Sequence, residues 1–484
     1  MNHALIETKH KEVVVIGAGI SGLVCAYRLK SLGVDVLLIE KSERVGGVMQ
    51  SETHDGFLIE RGPNSSQGTE ELMALIEELG ILDEVAEGDP KAPAYVYFNG
   101  RLHAVPAGAG AFVRSKLLSA SGKLRILAEP FIRARRASEE ESIFSFARRR
   151  LGRQAAERMV APFVSGIYAG DAEKISVQAA FPKLANLETT YGGLIRGTIA
   201  KAREARRAKK STSAVLDKAA PTRRRLISFK SGMQHLPQTL AAKIGEDLMT
   251  GAANCELRIA NSSRAGKQSG HFTILYERAG SFFQITGNHL IIASPAKATA
   301  ALVAPFAAEL SHLLEEIYYP PIAIVCLAYD QTKINTPLDG FGFLVPPSER
   351  LNILGCVWNS SLFAGRAPKG KALITVFIGG ARNPQVVQLG DAELVTLVHT
   401  DLQNILGITA EPQTVAITRW ERAIPQYNLG HRDRVQRIEA LLAETPGLRL
   451  VGNYLHGVST GDCIKEADRV AKEVSAALST AQTK

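Results

Sequence analysis

Apolar residues cluster in a few short runs along this chain, and most of these runs stop at glycines before a helical pattern begins. Residues 12–16 read EVVVI, the turn GAGISG fills 17–22, and apolar positions then recur at helical spacing as far as Leu32. A second run, 34–39, stops at Glu40. Short apolar runs bounded by turn residues read as buried strands, while recurrence at three and four residues reads as a helix with one buried face. The same alternation returns late in the chain. Residues 290–293 (LIIA) lead through Ser294 and Pro295 into a helical run ending at Leu302, and 255–259 (CELRI) form another strand. Near the end, 448–451 run into GNYLHGVST, after which Ile464, Ala467, Val470, Ala471, Val474 and Leu478 give a helix one apolar face. Strands alternating with helices predict an α/β fold around a largely parallel sheet.

Composition narrows this picture. A chain of 484 residues, 45% hydrophobic and 22% charged, can bury a large core in two or three domains. Its five cysteines (Cys25, Cys255, Cys326, Cys356, Cys463) are scattered without a C-x-x-C pair, the usage of a reducing compartment. The opening MNHALIETKHKE lacks the apolar centre of a secretory signal. No run approaches the roughly 18 apolar residues of a membrane span. A cytoplasmic protein is expected, or one resting on the cytoplasmic face of a membrane without crossing it. The net charge of +9 is concentrated in residues 201–225, which hold ten Lys and Arg against two acids and leave 47 bases against 46 acids elsewhere. That basic stretch reads as a solvated helix end and mobile segment, or as a contact for anionic lipid or an acidic partner. Nucleic acid is excluded as a partner, because the bases are not spread over a folded face. No metal site is expected.

The glycine turn carries the first chemistry. Gly17, Ala18, Gly19, Ile20, Ser21 and Gly22 spell G-x-G-x-x-G between a strand and a helix, and Glu40 ends the next strand eighteen residues later. In that context Gly17 makes the tight turn, Gly19 admits a pyrophosphate, and Gly22 lets the helix pack close to the strand. The helix N-terminus offers N–H groups to the phosphates, and Glu40 offers acceptors to ribose hydroxyls. After Glu40 come Lys41, Arg44, Gly46 and Gly47, and then Gly62, Pro63, Asn64 and Ser65. A nicotinamide enzyme has no use for this second glycine loop. A flavin dinucleotide, extending across the domain, needs its extra backbone donors.

The pattern E-(x)3-R-x-G-G resembles the extended FAD site of the amine oxidase, phytoene desaturase and protoporphyrinogen oxidase superfamily. FVSGIYAGD (163–171), GFGFLVP (340–346), FIGGARN (377–383) and GNYLHGVSTGD (452–462) then resemble the oxygen-using, flavin-dependent protoporphyrinogen oxidase family, from about residue 12 to 475. The resemblance implies a Rossmann-like FAD-binding domain built from 12–90, 226–305 and 440–478. It implies a helical membrane-contacting or substrate domain at 91–200, the basic segment at 201–225, and an interleaved mixed-sheet substrate domain at 306–439. It places Arg44 near the pyrophosphate, Gly62 to Ser65 beside the flavin, Leu257 at the adenine, Trp420 close to the ring, and the backbone of Val458, Ser459 and Thr460 at its pyrimidine edge. The cofactor is expected to be non-covalent FAD, since Cys463 falls after the turn where a tethering cysteine would not.

The implied reaction takes protoporphyrinogen IX to protoporphyrin IX in three two-electron rounds, with molecular oxygen as acceptor and a homodimer as the assembly. No catalytic side chain is assigned, because the flavin is itself the hydride acceptor. The resemblance puts Leu344, Val357 and Phe377 around the macrocycle and the backbone at Gly170 against its pyrroles. One departure stands out. Family members carry a propionate-binding arginine where this chain has Ala94, and Arg101 is the candidate substitute. Coproporphyrinogen III oxidation is therefore an alternative, and an FAD amine oxidase a further one. Residues 111–136 mix Phe, Leu and Ile with Arg and Lys, as an interfacial helix would. His456 is expected as a neighbour of the flavin.

Overall fold

The computed structural model describes residues 8–135, 139–211, 225–260 and 271–482. One seven-stranded sheet runs in the order Leu248–Met249, Val36–Ile39, Thr8–Ile16, Ser281–Ile292, His271–Arg278, Ala253–Ala260, with Leu448–Leu450 also on Ser281–Ile292. The strand Ser281–Ile292 reconciles two halves. Its first part pairs antiparallel with His271–Arg278, and its last three residues pair parallel with Leu448–Leu450. The apolar run at 290–293 was therefore only the end of a twelve-residue strand.

Alternation sorts the side chains of the first strand. Val13 and Val15 face a core shared with the helices Ile20–Ser31, Glu70–Leu79, His235–Ile244 and Thr460–Gln482. Val14 and Ile16 face another, shared with Ala296–Val303, Ala308–Glu315 and His431–Ala443. A sheet buried on both faces needs apolar residues at successive positions, which is why the sequence read as unbroken runs.

A second seven-stranded sheet is mixed: Gln413–Trp420, Ile322–Asp330, Lys371–Gly379, Ile353–Trp358, Gly342–Leu344, Ala94–Phe98, Arg101–Ala104. One face packs under the helix Asp391–Leu406 through Ala323, Val325, Leu327 and Tyr329. The other face, with Ile322, Ile324 and Cys326, meets Phe57, Ile59 and Ala169, so it looks toward the glycine turns. The helix Ala161–Tyr168 lies against that side at Gly342–Leu344 and Ile353–Trp358, and the other helices from Ile143–Leu151 to Leu194–Ser211 pack around it. They are held by a buried ion cluster in which Arg150 pairs with Glu129 and Arg149 with Glu141 and Glu188.

Residues 111–136 do not form one interfacial helix. Helices Ala109–Arg114 and Ala120–Leu127 are separate, the second capped by Ser119 accepting from the Gly122 N–H, and a 3-10 turn follows at Glu129–Phe131. Pro130 lacks the N–H that a continuing helix requires. Of the basic stretch, residues 201–211 extend the helix Leu194–Ser211, and 212–224 lie outside the described residues. Among the described residues no helix is long and apolar enough to cross a membrane.

Candidate active site

The first glycine turn is built from backbone constraints. Gly17 sits at φ +104°, and a Cβ there would stand 3.1 Å from the Ala293 carbonyl carbon. Its N–H donates to the Ile39 carbonyl (2.8 Å), which ties the turn to the strand ahead of Glu40. A Cβ on Gly22 would overlap the Gly17 carbonyl oxygen. Gly19 differs: nothing lies within 4 Å of where its Cβ would be, and as N-cap it supplies no side chain to the helix Ile20–Ser31. Ala18 and Ser21 are buried beneath the turn. The Ala18 N–H donates to one Glu40 oxygen (2.7 Å) and the Ser42 N–H to the other (2.9 Å). Lys41 is exposed beside them.

The second loop folds onto the first. The Gly46 N–H donates to the Ala18 carbonyl (2.8 Å), and a Cβ on Gly47 would stand 3.3 Å from Gly19 Cα. Arg44 donates to the carbonyl of Gly47 (2.9 Å), and desolvation there lowers its pKa. Gly62 fits under Val48, whose carbonyl oxygen a Cβ would overlap, leading into Pro63, Asn64 and Ser65. Trp420 donates from its indole N–H to the Arg61 carbonyl (2.6 Å), so it does pack against this stretch. Leu257 lies in the same apolar cluster as Ile16 and Ile39, because the antiparallel strands fold across the sheet face behind Glu40.

The C-terminal turn closes the other side. The helix Thr460–Gln482 lies against Ile20–Ser31, where the Cys25 thiol donates to the Ala467 carbonyl (3.2 Å), so the two N-termini lie close. Ser459 and Asp462 form a reciprocal cap: the Ser459 hydroxyl accepts from the Asp462 N–H (3.1 Å) and its N–H donates to the Asp462 carboxylate (3.3 Å). The Ser459 amide is thus engaged with the Asp462 carboxylate. The S-x-x-D spacing was the signal for this cap. His456 turns outward, its Nε2 3.0 Å from Glu439, because its neighbours Leu455 and Gly457 are held inward.

The residues suit a flavin dinucleotide on two counts. An uncapped helix N-terminus behind an unobstructed Gly19 is a phosphate cradle. Beside Gly62 and Pro63, Asn359 donates to the Asn64 Oδ1 (2.6 Å), leaving Asn64 Nδ2 and Asn359 Oδ1 buried without partners among the described residues. A buried donor next to a buried acceptor is costly unless something with both functions lies against them. The edge of an isoalloxazine ring has both. Asn359 was missed in the sequence, having no motif around it.

The substrate candidates meet on one face of the second sheet. Leu344 pairs with Gly355 and Gly355 with Phe377, so the two side chains flank a position without one. Val357, two residues beyond Gly355, lies on the same face. The helix Ala161–Tyr168 covers Leu344 through Gly166, and the turn at Ala169 and Gly170 follows, its Ala169 carbonyl accepting from the Ala381 N–H (2.8 Å). Ala94 pairs with Gly342, in the row of Val357. Arg101 pairs with Phe98 and Leu344 with Val96, so Arg101 shares the face of Leu344, about 7 Å further along and two strands across. Arg158, which sequence reading passed over, stands 4.2 Å above the Phe98 ring.

Comparisons with known proteins find relatives along nearly the whole chain. The sequence model of the family described as flavin containing amine oxidoreductase matches residues 20–475. The chloroplastic protoporphyrinogen oxidase of Nicotiana tabacum is 33% identical over 480 residues, covering 97% of this chain and 86% of that one. The coproporphyrinogen III oxidase of Bacillus subtilis is 29% identical, covering 94% of this chain and 96% of that one. A crystal structure from Exiguobacterium sp. 255-15, provisionally named a protoporphyrinogen oxidase, superposes with a TM-score of 0.77 at 25% identity, covering 98% and 99%.

Proposed function

The chain belongs to the flavin-containing amine oxidoreductase family, and on that premise we propose that it binds FAD non-covalently and oxidises protoporphyrinogen IX to protoporphyrin IX, with molecular oxygen as acceptor. It is a flavin-dependent oxidoreductase acting on a porphyrinogen in haem biosynthesis. The observation that carries the reading is chain-long likeness to a relative named for this substrate. When bound, the flavin supplies the two-electron acceptor, and three rounds remove the six electrons that separate a porphyrinogen from a porphyrin.

The chain's own residues bind, orient and exclude water. Glu40 receives ribose hydroxyls, and Arg44 with the amides at Gly19 and Gly47 receives the pyrophosphate. Val458 and Thr460 offer amides to the pyrimidine edge, where negative charge develops. Leu344, Val357 and Phe377 give the macrocycle an apolar wall, relieved at Gly355, and Gly170 faces its pyrroles. Arg101 takes a propionate, which an apolar cleft would otherwise leave unpaired. The discontinuous FAD-binding domain comprises 12–90, 226–305 and 440–478, and the substrate domain at 306–439 completes its sheet with the strands Ala94–Phe98 and Arg101–Ala104.

Ala94 at the usual arginine position favours a second reading, coproporphyrinogen III oxidation, also the activity in the name of the Bacillus relative. Specific activity on both porphyrinogens, side by side, decides. The first reading expects the higher kcat/KM on protoporphyrinogen; the reverse order selects the second.

A peripheral membrane contact at 109–133, and a homodimer on the cytoplasmic side, complete the proposal. Val113, Leu124, Leu127 and Phe131 are exposed, Phe131 by 86%, among Arg114, Lys116, Lys123 and Arg133. Apolar tips among cations suit an anionic bilayer surface. Flotation with anionic liposomes is the expected result, and a protein that stays at the bottom of the gradient at low salt refutes the contact.

A further inference from the structure

Between the strand Gln413–Trp420 and the helix His431–Ala443, two adjacent side chains reach the opposite walls of the site. Gln426 is 2% exposed. Its Nε2 donates to the carbonyls of Tyr168 (2.8 Å) and Ile424 (2.9 Å). Two carbonyls at one end of an amide require the NH2 group there, so its orientation is determined. The Tyr168 carbonyl immediately precedes Ala169, which holds the left-handed conformation (φ +53°) and whose own carbonyl is bound by the Ala381 N–H (2.8 Å). A left-handed alanine persists only where its surroundings over-determine it. Gln426 supplies half of that constraint, and a Cβ on Gly170 would overlap its Oε1.

Tyr427 reaches the other way. Its hydroxyl donates to the Asn453 carbonyl (2.7 Å) and accepts from the Gly457 N–H (2.7 Å), closing across the crossing at 453–457. His431 stacks on the Tyr427 ring, centroids 4.0 Å apart at 11°. Since a carbonyl only accepts, its Nε2 carries the proton it donates to Leu455 (3.3 Å). Three backbone groups of one short crossing are thus held by two stacked rings. The Tyr427 carbonyl accepts from the Ser176 N–H (2.8 Å), and the Gln426 N–H donates to the Tyr318 carbonyl (2.9 Å), so the dipeptide is itself anchored.

We propose that Gln426 and Tyr427 are positioning residues that fix the gap between the substrate turn at Tyr168, Ala169 and Gly170 and the flavin-side crossing at 453–457. The Gln426 half rests on the porphyrinogen reading above; the Tyr427 half requires only that a flavin lies at the crossing. One peptide bond separates the two anchors, and because that backbone is itself held, each side chain fixes its own wall. Tyr427 acts on the cofactor through the amides that follow the crossing, and Gln426 acts on the substrate through the turn.

The test uses the flavin-loaded protein with Tyr427→Phe and Gln426→Met, both close in volume to the native residue. Tyr427→Phe is expected to shift the flavin absorption bands and to weaken stabilisation of the reduced flavin about tenfold. For a two-electron couple that is a midpoint potential about 30 mV more negative. Its kcat is expected to fall about tenfold at nearly constant KM. Gln426→Met is expected to raise the porphyrinogen KM about tenfold and leave the potential where it was. Parallel changes of KM, kcat and potential in both variants, tracking a loss of thermal stability, would mean plain structural support and overturn the assignment. An unchanged potential and spectrum in Tyr427→Phe overturns it too. The potential needs no substrate, so failure of the native protein to oxidise any porphyrinogen refutes the functional reading separately.

Discussion

Removing Arg366 should expose how strongly the antiparallel hairpin Ser51–His54 and Phe57–Glu60, which leads into Gly62 and Asn64, depends on one buried charge pair. Arg366 and Glu60 are each 1% exposed, and the guanidinium donates to Glu60 (2.9 Å), to the Ser228 hydroxyl (2.5 Å) and to the Phe229 carbonyl (3.2 Å). Glu60 also accepts from the Ser51 hydroxyl (2.6 Å) and the Met233 N–H (3.0 Å). Burial pushes the Glu60 pKa up, against the pull of its hydrogen bonds and of Arg366. Breaking such a pair strands a buried charge, at a cost of about 3–5 kcal/mol. Arg366→Met should therefore lose roughly that much stability at pH 7 in urea denaturation followed by tryptophan fluorescence. The sign with pH follows from linkage. Without the arginine, the folded pKa of Glu60 rises further above its unfolded value, so the folded state binds the extra proton. The deficit is then smallest below the unfolded pKa and grows as pH rises through the folded one. Glu60→Gln combined with Arg366→Met should recover most of the loss. Because Glu60 directly precedes Arg61, Gly62, Pro63 and Asn64, flavin retention should fall with stability. A single variant that loses under about 1 kcal/mol, with no pH dependence, would refute the reasoning.

Glycine substitutions separate ligand space from packing space. Gly19→Ala meets no protein atom, so stability of the flavin-free protein should hold while flavin affinity, measured by titration, falls at least tenfold; Gly22→Ala, overlapping the Gly17 carbonyl, should fail to fold stably. Arg101→Ala should raise KM for the porphyrinogen several-fold more than it lowers kcat, and an unchanged KM removes Arg101 from the site. Burial lowers the His431 pKa from 6.5 to about 4, so below pH 6.5 the unfolded chain takes a proton that the fold refuses. Stability should fall between pH 6.5 and 4 by about 3 kcal/mol, and His431→Phe should flatten that part of the denaturation profile.

What the sequence disclosed depended on how local each device is. The turn at 17–22 and Glu40 lie within one strand–helix–strand unit, so spacing alone revealed them. Asn64 stood in a recognisable run, but its partner Asn359 is 295 residues away. Glu60 and Arg366 are separated by 306 residues, and nothing in either neighbourhood announces the other. Tyr427 follows Trp420 by seven residues, yet its function depends on a crossing reached only through the fold. Residues 111–135 read as one helix because amphipathic composition survives the break at 115–119, between the end of Ala109–Arg114 and the Ser119 cap of Ala120–Leu127. Ser459 reads as a free donor until its S-x-x-D spacing to Asp462 is taken as a reciprocal cap. His456 was placed by its neighbours in sequence, and side-chain direction is set by packing.

The central claim is that a porphyrinogen hands electrons to a flavin bound between the glycine turns and the second sheet. Anaerobic mixing of the flavin-loaded protein with protoporphyrinogen IX, followed at the flavin absorption band, tests it most directly. Bleaching of the flavin is expected with appearance of the porphyrin spectrum, and recovery of the oxidised band when oxygen is admitted. A flavin that stays oxidised with protoporphyrinogen and coproporphyrinogen alike, yet bleaches with an amine, would contradict it.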